Sequence, residues 1–155
     1  MAFTTRTQVL LDSTKRAVIK ITGSSDSGAF DQANTTVITA NNLVNARVTT
    51  SPANTRLLYV KQVTYDIKSP GGYVTLYWVG ANAATNTVMT NLGSVGKLID
   101  EPFVLTNDAT GRTGDIGIST TGFANNSCYT IIIDVKKDAA GFDPGVANDA
   151  VAFNR

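Results

Sequence analysis

Six aromatic side chains, Tyr59, Tyr65, Tyr73, Tyr77, Trp78 and Tyr129, carry the most evident binding chemistry of this chain. Rings exposed on a sheet face stack on sugars or on single-stranded bases. These six alternate in register with Leu, Val and Ile, which is the pattern of core and subunit packing. Base stacking also needs a basic groove beside the rings. The chain has 13 basic and 12 acidic residues and a net charge of +1, so no specific nucleic-acid partner is expected.

Catalytic groups are scarce. Histidine is absent, which excludes Ser-His-Asp and Cys-His nucleophiles and every His-bearing zinc site. A glycosidase needs two carboxylates facing one cleft. Asp12, Asp26, Asp31 and Asp66 instead fall in turns or at strand ends, and Asp100 and Glu101 start a strand. The loop Gly111-Arg112-Thr113-Gly114-Asp115-Ile116-Gly117 lacks the Gly-Lys-Ser/Thr ending of a phosphate loop and reads as a tight turn entering a strand,. Asp108 and Asp115 beside it offer oxygens to calcium, but their spacing matches no calcium-binding loop. Cys128 is the lone cysteine and opens an apolar run, so it reads as a small core hydrophobe,. These features together predict no enzyme activity, no cofactor and no metal.

The elements that would position these residues are strands. Thr, Asn, Ser and Gly dominate the polar residues, and they favour pleated surfaces and the turns between them. Period-two alternation marks 7–11, 16–22, 56–67, 73–79, 87–92, 101–105, 115–120 and 129–136, with weaker candidates at 35–39 and 43–49,. In 56–67, Leu57, Tyr59, Val63, Tyr65 and Ile67 share one face, interrupted by Lys61, while Leu58 and Val60 fall on the other. The stretch 73–79 is apolar on both faces, which predicts a second subunit over one of them. Gly23, Gly93, Gly96, Gly111, Gly114, Gly117 and Gly122 read as breaks and turns between strands. No segment has a 3.6-residue period. The fold class is therefore all-β: an antiparallel β-sandwich, jelly-roll-like, of about nine short strands. Leu57, Val63, Tyr65, Ile131 and Ile133 are the predicted core.

Alternation stops after Lys137. Residues 1–137 are thus expected to form the sandwich domain. Residues 138–155 read as a C-terminal arm, with Phe142 and Phe153 as anchors on a neighbouring chain,. No run of apolar residues is long enough to span a membrane. The opening residues lack the basic and apolar regions of a secretory signal, so synthesis in a cytoplasm is expected.

Three stretches also carry a family resemblance. Arg6-Thr7-Gln8-Val9-Leu10-Leu11-Asp12, continuing through Lys15-Arg16-Ala17-Val18-Ile19-Lys20-Ile21-Thr22-Gly23, resembles small virion structural proteins of tailed phages, especially those of marine and cyanobacterial hosts. Gly111-Arg112-Thr113-Gly114-Asp115-Ile116 and the closing strand up to Lys137 look like the same group. The resemblance spans most of residues 6–137 and contains no catalytic signature; the arm extends beyond it. It implies a virion component made in a bacterial cytoplasm, in particular a jelly-roll capsid decoration (cement) protein. Its implied partners are the major capsid protein or other virion proteins and further copies of itself, with a trimer suggested by the three-fold sites of capsid lattices. Tyr73, Tyr77, Trp78, Phe142 and Phe153 are the candidate interface residues. A tail, collar or fibre component, or a carbohydrate-binding sandwich, are the alternatives.

Overall fold

Apolar residues at every second position define one wet and one dry side of a strand, and two such dry sides close on each other. The computed structural model describes residues 3–25, 31–44, 58–80, 86–99 and 114–137. Among them are nine strands: β1 (Phe3–Asp12), β2 (Arg16–Ser25), β3 (Thr35–Ile38), β4 (Leu58–Lys68), β5 (Tyr73–Trp78), β6 (Thr87–Leu92), β7 (Val95–Ile99), β8 (Ile116–Thr121) and β9 (Cys128–Lys137). They form two antiparallel sheets packed as a β-sandwich. The first has the order β1-β2-β9-β4-β7 and the second β3-β8-β5-β6. From β2 onward the pairing is nested: β2 with β9, β3 with β8, β4 with β7, and β5 with β6. Pairs β4–β9 and β5–β8 join these hairpins into sheets.

The core lies between the sheets. Ile19, Ile21, Val63, Ile131, Ile133 and Val135 of the first sheet meet Val74, Leu76, Trp78, Leu92, Ile116 and Ile118 of the second, all buried. Of the expected core, Val63, Ile131 and Ile133 are fully buried, and Tyr65 packs half-buried against them. Leu57 lies outside the described residues.

Four bulges set which residues face inward, and the one at Lys61 corrects the reading of β4. Val60 pairs with Val135 and Gln62 with Asp134, so Lys61 is the extra residue. A bulge reverses the parity of a strand. Leu58 and Val60 are buried before it, and Val63 and Ile67 after it. Tyr59 is therefore half-buried on the outer side rather than in line with Val63.

Three glycines expected in turns lie inside strands, each directly opposite a tyrosine. Gly23 pairs with Tyr129, Gly96 with Tyr65 and Gly117 with Tyr77. A β-carbon on Gly23 would sit 2.4 Å from the Tyr129 ring, and one on Gly117 2.5 Å from the Tyr77 ring. The ring fills the space that the missing side chain leaves, a compensation that rescues glycine within sheets.

Two further expectations are revised. Of the strand expected at 43–49, only Leu43 and Val44 are described; they follow a 3-10 turn at Ala40–Asn42, and Leu43 is extended. The turn is closed by Asn42 N–H to the Thr39 carbonyl, and the Asp115 carboxylate accepts the Ala40 N–H at 2.8 Å. β7 was unexpected, because Gly96 and Lys97 mask its alternation; Leu98 packs on the core while Val95 and Ile99 face out. The stretches 45–49, 101–105 and 138–155 lie outside the described residues.

Candidate interaction surface

The carboxylates of the described residues are acceptors for the fold's own donors. Asp31 accepts from Gly122 N–H (3.1 Å), Phe123 N–H (2.9 Å) and the Thr120 hydroxyl (3.3 Å). Asp134 accepts from the Arg16 guanidinium at 2.9 and 3.0 Å. That hydrogen bond, followed by the Asp134 charge, raises the Arg16 pKa. Asp66 pairs with Lys68 at 3.3 Å. Among the described residues no three acidic or cysteine side chains converge on one point. Asp26, Asp100, Glu101 and Asp108 lie outside the described residues, so the Asp108–Asp115 pairing has no described geometry.

Among the described residues the most buried charge is Lys137, the last residue of β9. Its alternation points it inward, and its side chain is 1% exposed. The ammonium donates to Asp12 Oδ1, to the Ser13 carbonyl (2.6 Å) and to the Val44 carbonyl (2.9 Å). Asp12 Oδ2 in turn accepts the Val44 N–H at 2.9 Å. One ion pair thus ties the β1–β2 turn, the end of β9 and the segment after the 3-10 turn. Sequence alternation alone placed Lys137 on the Ile131–Val135 face, which was the signal for its burial.

Tyr129 organises the opposite end. Its hydroxyl donates to Gln32 Oε1 at 2.9 Å, Gln32 Nε2 donates to the Thr5 hydroxyl at 2.7 Å, and Phe3 and Phe123 flank the ring at 5.9 and 6.2 Å. Burial pushes the Tyr129 phenol above the ordinary tyrosine value, outweighing these hydrogen bonds. Burial likewise raises Tyr77, partly offset by a backbone hydrogen bond with Thr35. Both rings are therefore neutral packing groups at physiological pH.

Half of the aromatic set, Tyr77, Trp78 and Tyr129, is spent on packing. Trp78 is 2% exposed in the inter-sheet core and Tyr77 is 4% exposed over Gly117, whereas Tyr73 is 37% exposed. The expectation that a second subunit covers Trp78 and Tyr77 is corrected, because the chain buries both itself. The two apolar sides of β5 arise because one faces the core and the other carries the ring that fills the Gly117 gap. Phe142 and Phe153 lie outside the described residues. Cys128 is half-buried on the outer side of the first sheet, not in the core, and borders a shallow groove of about 350 Å³ with Thr4, Arg6, Thr22, Ser24 and Thr130.

Among the described residues, uncovered apolar side chains lie on β6 and β7 (Val88, Val95 and Ile99) and on β1. β1 is an edge strand of the first sheet, and Val9, Leu10 and Leu11, together with neighbouring Val44, are 40% to 54% exposed. Val9 pairs with inward-facing Ile19, so it points toward the core side yet stays in solvent. Among the described residues the first sheet has five strands and the second four, and β1 is outermost in the first. The sequence signal was the unbroken Val9-Leu10-Leu11 run, which no half-buried strand would carry. The chain matches no protein-family model and no curated protein.

Proposed function

We propose that the chain is a non-enzymatic structural component of a tailed-phage particle, a jelly roll that decorates the head and stabilises it by bridging capsid subunits. The observation that carries this reading is the nested pairing of β2–β9. Eight strands paired first-to-last and split between two sheets are what the two Greek keys of a jelly roll would give, and they support that reading, an architecture of viral capsid and lectin domains. The step from that architecture to a virion is an analogy, and it agrees with the family resemblance of residues 6–137.

Two further observations support an assembly role. The described carboxylates hold turns and strand ends together, so they are spent on rigidity. Among the described residues β1 pairs with β2 alone and presents apolar side chains along its other edge, the surface that a strand-adding partner recognises,. The partners implied are the major capsid protein and other copies of this chain, with a trimer as the assembly unit. Burial of Trp78, Tyr77 and Tyr129 leaves Tyr59, Tyr65 and Tyr73 as the accessible rings for the alternative of a carbohydrate-binding sandwich.

Purified particles test the placement. Quantitative mass spectrometry should find the protein at about the copy number of the major capsid protein or a simple fraction of it, as multivalent bridging of a shell requires. A number matching the rotational order of the tail would overturn the head assignment in favour of tail or collar.

A further inference from the structure

The two sheets divide the charge unevenly. The strands of the second sheet, β3, β5, β6 and β8, contain no charged residue. On the first sheet the pairing register puts Arg6, Arg16, Lys20, Lys68, Lys97 and Lys136 on the outer face, with Asp66 and Asp134. Asp134 is taken by Arg16 at 2.9 Å and Asp66 by Lys68 at 3.3 Å. Arg6, Lys20, Lys97 and Lys136 are therefore left with no acidic partner among the described residues. The net charge of +1 conceals this, because the charges are sorted by face,.

The register also fixes how these cations stand. Gln8, Lys20, Ile132, Thr64 and Lys97 form one row across all five strands. Lys20 and Lys97 are three strand spacings apart in it, about 14 Å. Arg6 stands diagonally beside Lys20, and the two share a recess of about 180 Å³ with Gln8 and Thr22. Two cations, an amide and a hydroxyl are donors suited to a carboxylate. At the other end of the row, Lys97 lies on the exposed side of β7 between Val95 and Ile99, which are 69% and 54% exposed. Five strands spaced about 4.8 Å apart, the longest running about 33 Å, cover roughly 700–800 Å²,. One partner contributes about that much to an interface of ordinary size.

The occupant that fits this face is a protein. A phosphate backbone offers no apolar surface to Val95, Ile99 and Ile132. Single-stranded bases need rings to stack on, and among the described residues the outer face has one, half-buried Tyr59. An acidic protein surface supplies both carboxylates and apolar side chains. We propose that the outer face of the first sheet docks on an acidic protein surface, with a carboxylate of the partner seated between Arg6 and Lys20 and its apolar side chains on Val95 and Ile99. The inference deepens the assembly reading by naming the chemistry of the contact, and it rests on that reading for the partner's identity as the head shell.

The full-length chain is tested against three probes: a random copolymer of glutamate and tyrosine, a mixed-sequence DNA duplex, and particles assembled without this protein. Copolymer and particles should both bind, less tightly as salt rises. Lys20→Glu with Lys97→Glu should weaken both about tenfold, the combined effect of reversing two exposed charges. Lys15→Glu makes the same change in the turn between β1 and β2, off this face, and should leave both unchanged. If the double reversal lowers the thermal midpoint, Lys20→Gln with Lys97→Gln is read in its place, with a smaller loss in the same direction. Tighter binding to the duplex than to the copolymer makes the face a nucleic-acid site and overturns the proposal. So does a chain that ignores the copolymer, or a loss from Lys15→Glu equal to that of the double variant. Particles that bind wild type and double variant alike overturn it too, and leave the assembly reading standing. Copolymer binding that depends on the two lysines, with no binding to particles, keeps the docking face and removes the assembly reading.

Discussion

Asp12→Ala is expected to destabilise the domain by about 3–5 kcal/mol, the usual cost of removing one partner from a buried ion pair. Lys137 is 1% exposed, so its ammonium cannot regain water without opening the end of the sandwich. Two carbonyls, of Ser13 and Val44, would remain as its acceptors. The Val44 N–H would lose its acceptor as well. Replacing both partners with apolar residues of similar volume, Asp12→Leu with Lys137→Met, should recover most of the loss, because the desolvated charge is then gone. Urea unfolding of the single and double variants measures both effects. A cost under about 1 kcal/mol for Asp12→Ala, the range of exposed pairs, would mean that the pair contributes no more than a surface salt bridge.

Gly23→Ala should be the most damaging single-carbon change in the chain. The new methyl would meet the Tyr129 ring at 2.4 Å, and Tyr129 is held by Gln32, Phe3 and Phe123 on its other sides. Overpacking of this kind costs typically about 1–3 kcal/mol, and more where the ring cannot move. Gly96→Ala is the comparison: Tyr65 is half-buried and can swing toward solvent, so the same change there should cost less. In a Tyr129→Leu background the Gly23→Ala penalty should largely vanish, a coupling that a double-mutant cycle reads directly. Equal costs at Gly23 and Gly96, or a penalty that survives Tyr129→Leu, would show that ring contact is not the reason for glycine there.

The strands with uninterrupted alternation were legible in the sequence. β2 and β9 follow from Ala17, Ile19 and Ile21 and from Tyr129, Ile131, Ile133 and Val135, because each faces one core throughout. Where a bulge intervenes, local alternation misleads. Lys61 shifts β4 by one residue, and Leu58 and Val60 then join the core that Val63 continues. Where glycine stands opposite tyrosine, local punctuation misleads too. Gly96 and Gly117 look like turns because the ring that compensates for each lies on another strand, 31 and 40 residues away in the chain. The interface candidates fared by the same rule. Trp78 and Tyr77 looked exposed because two apolar faces were counted without the sheet and the glycine that cover them. The β1 edge escaped notice because edge position is a property of the strand order in the sheet, and no single strand carries it.

A β-sandwich with few charges is suited to broad, close contacts, since burying an unpaired charge is costly. In this chain 16% of residues are charged, and Lys137, Asp12, Asp31 and Asp134 are already engaged within the domain. The central claim is that such contacts, repeated over a shell, hold a phage head together. Particles assembled with and without this protein, compared for DNA release on heating or osmotic shock, test that claim most directly. The account predicts that particles lacking it release DNA at a lower temperature and that adding the purified protein back restores resistance. Equal resistance of the two particles would contradict it.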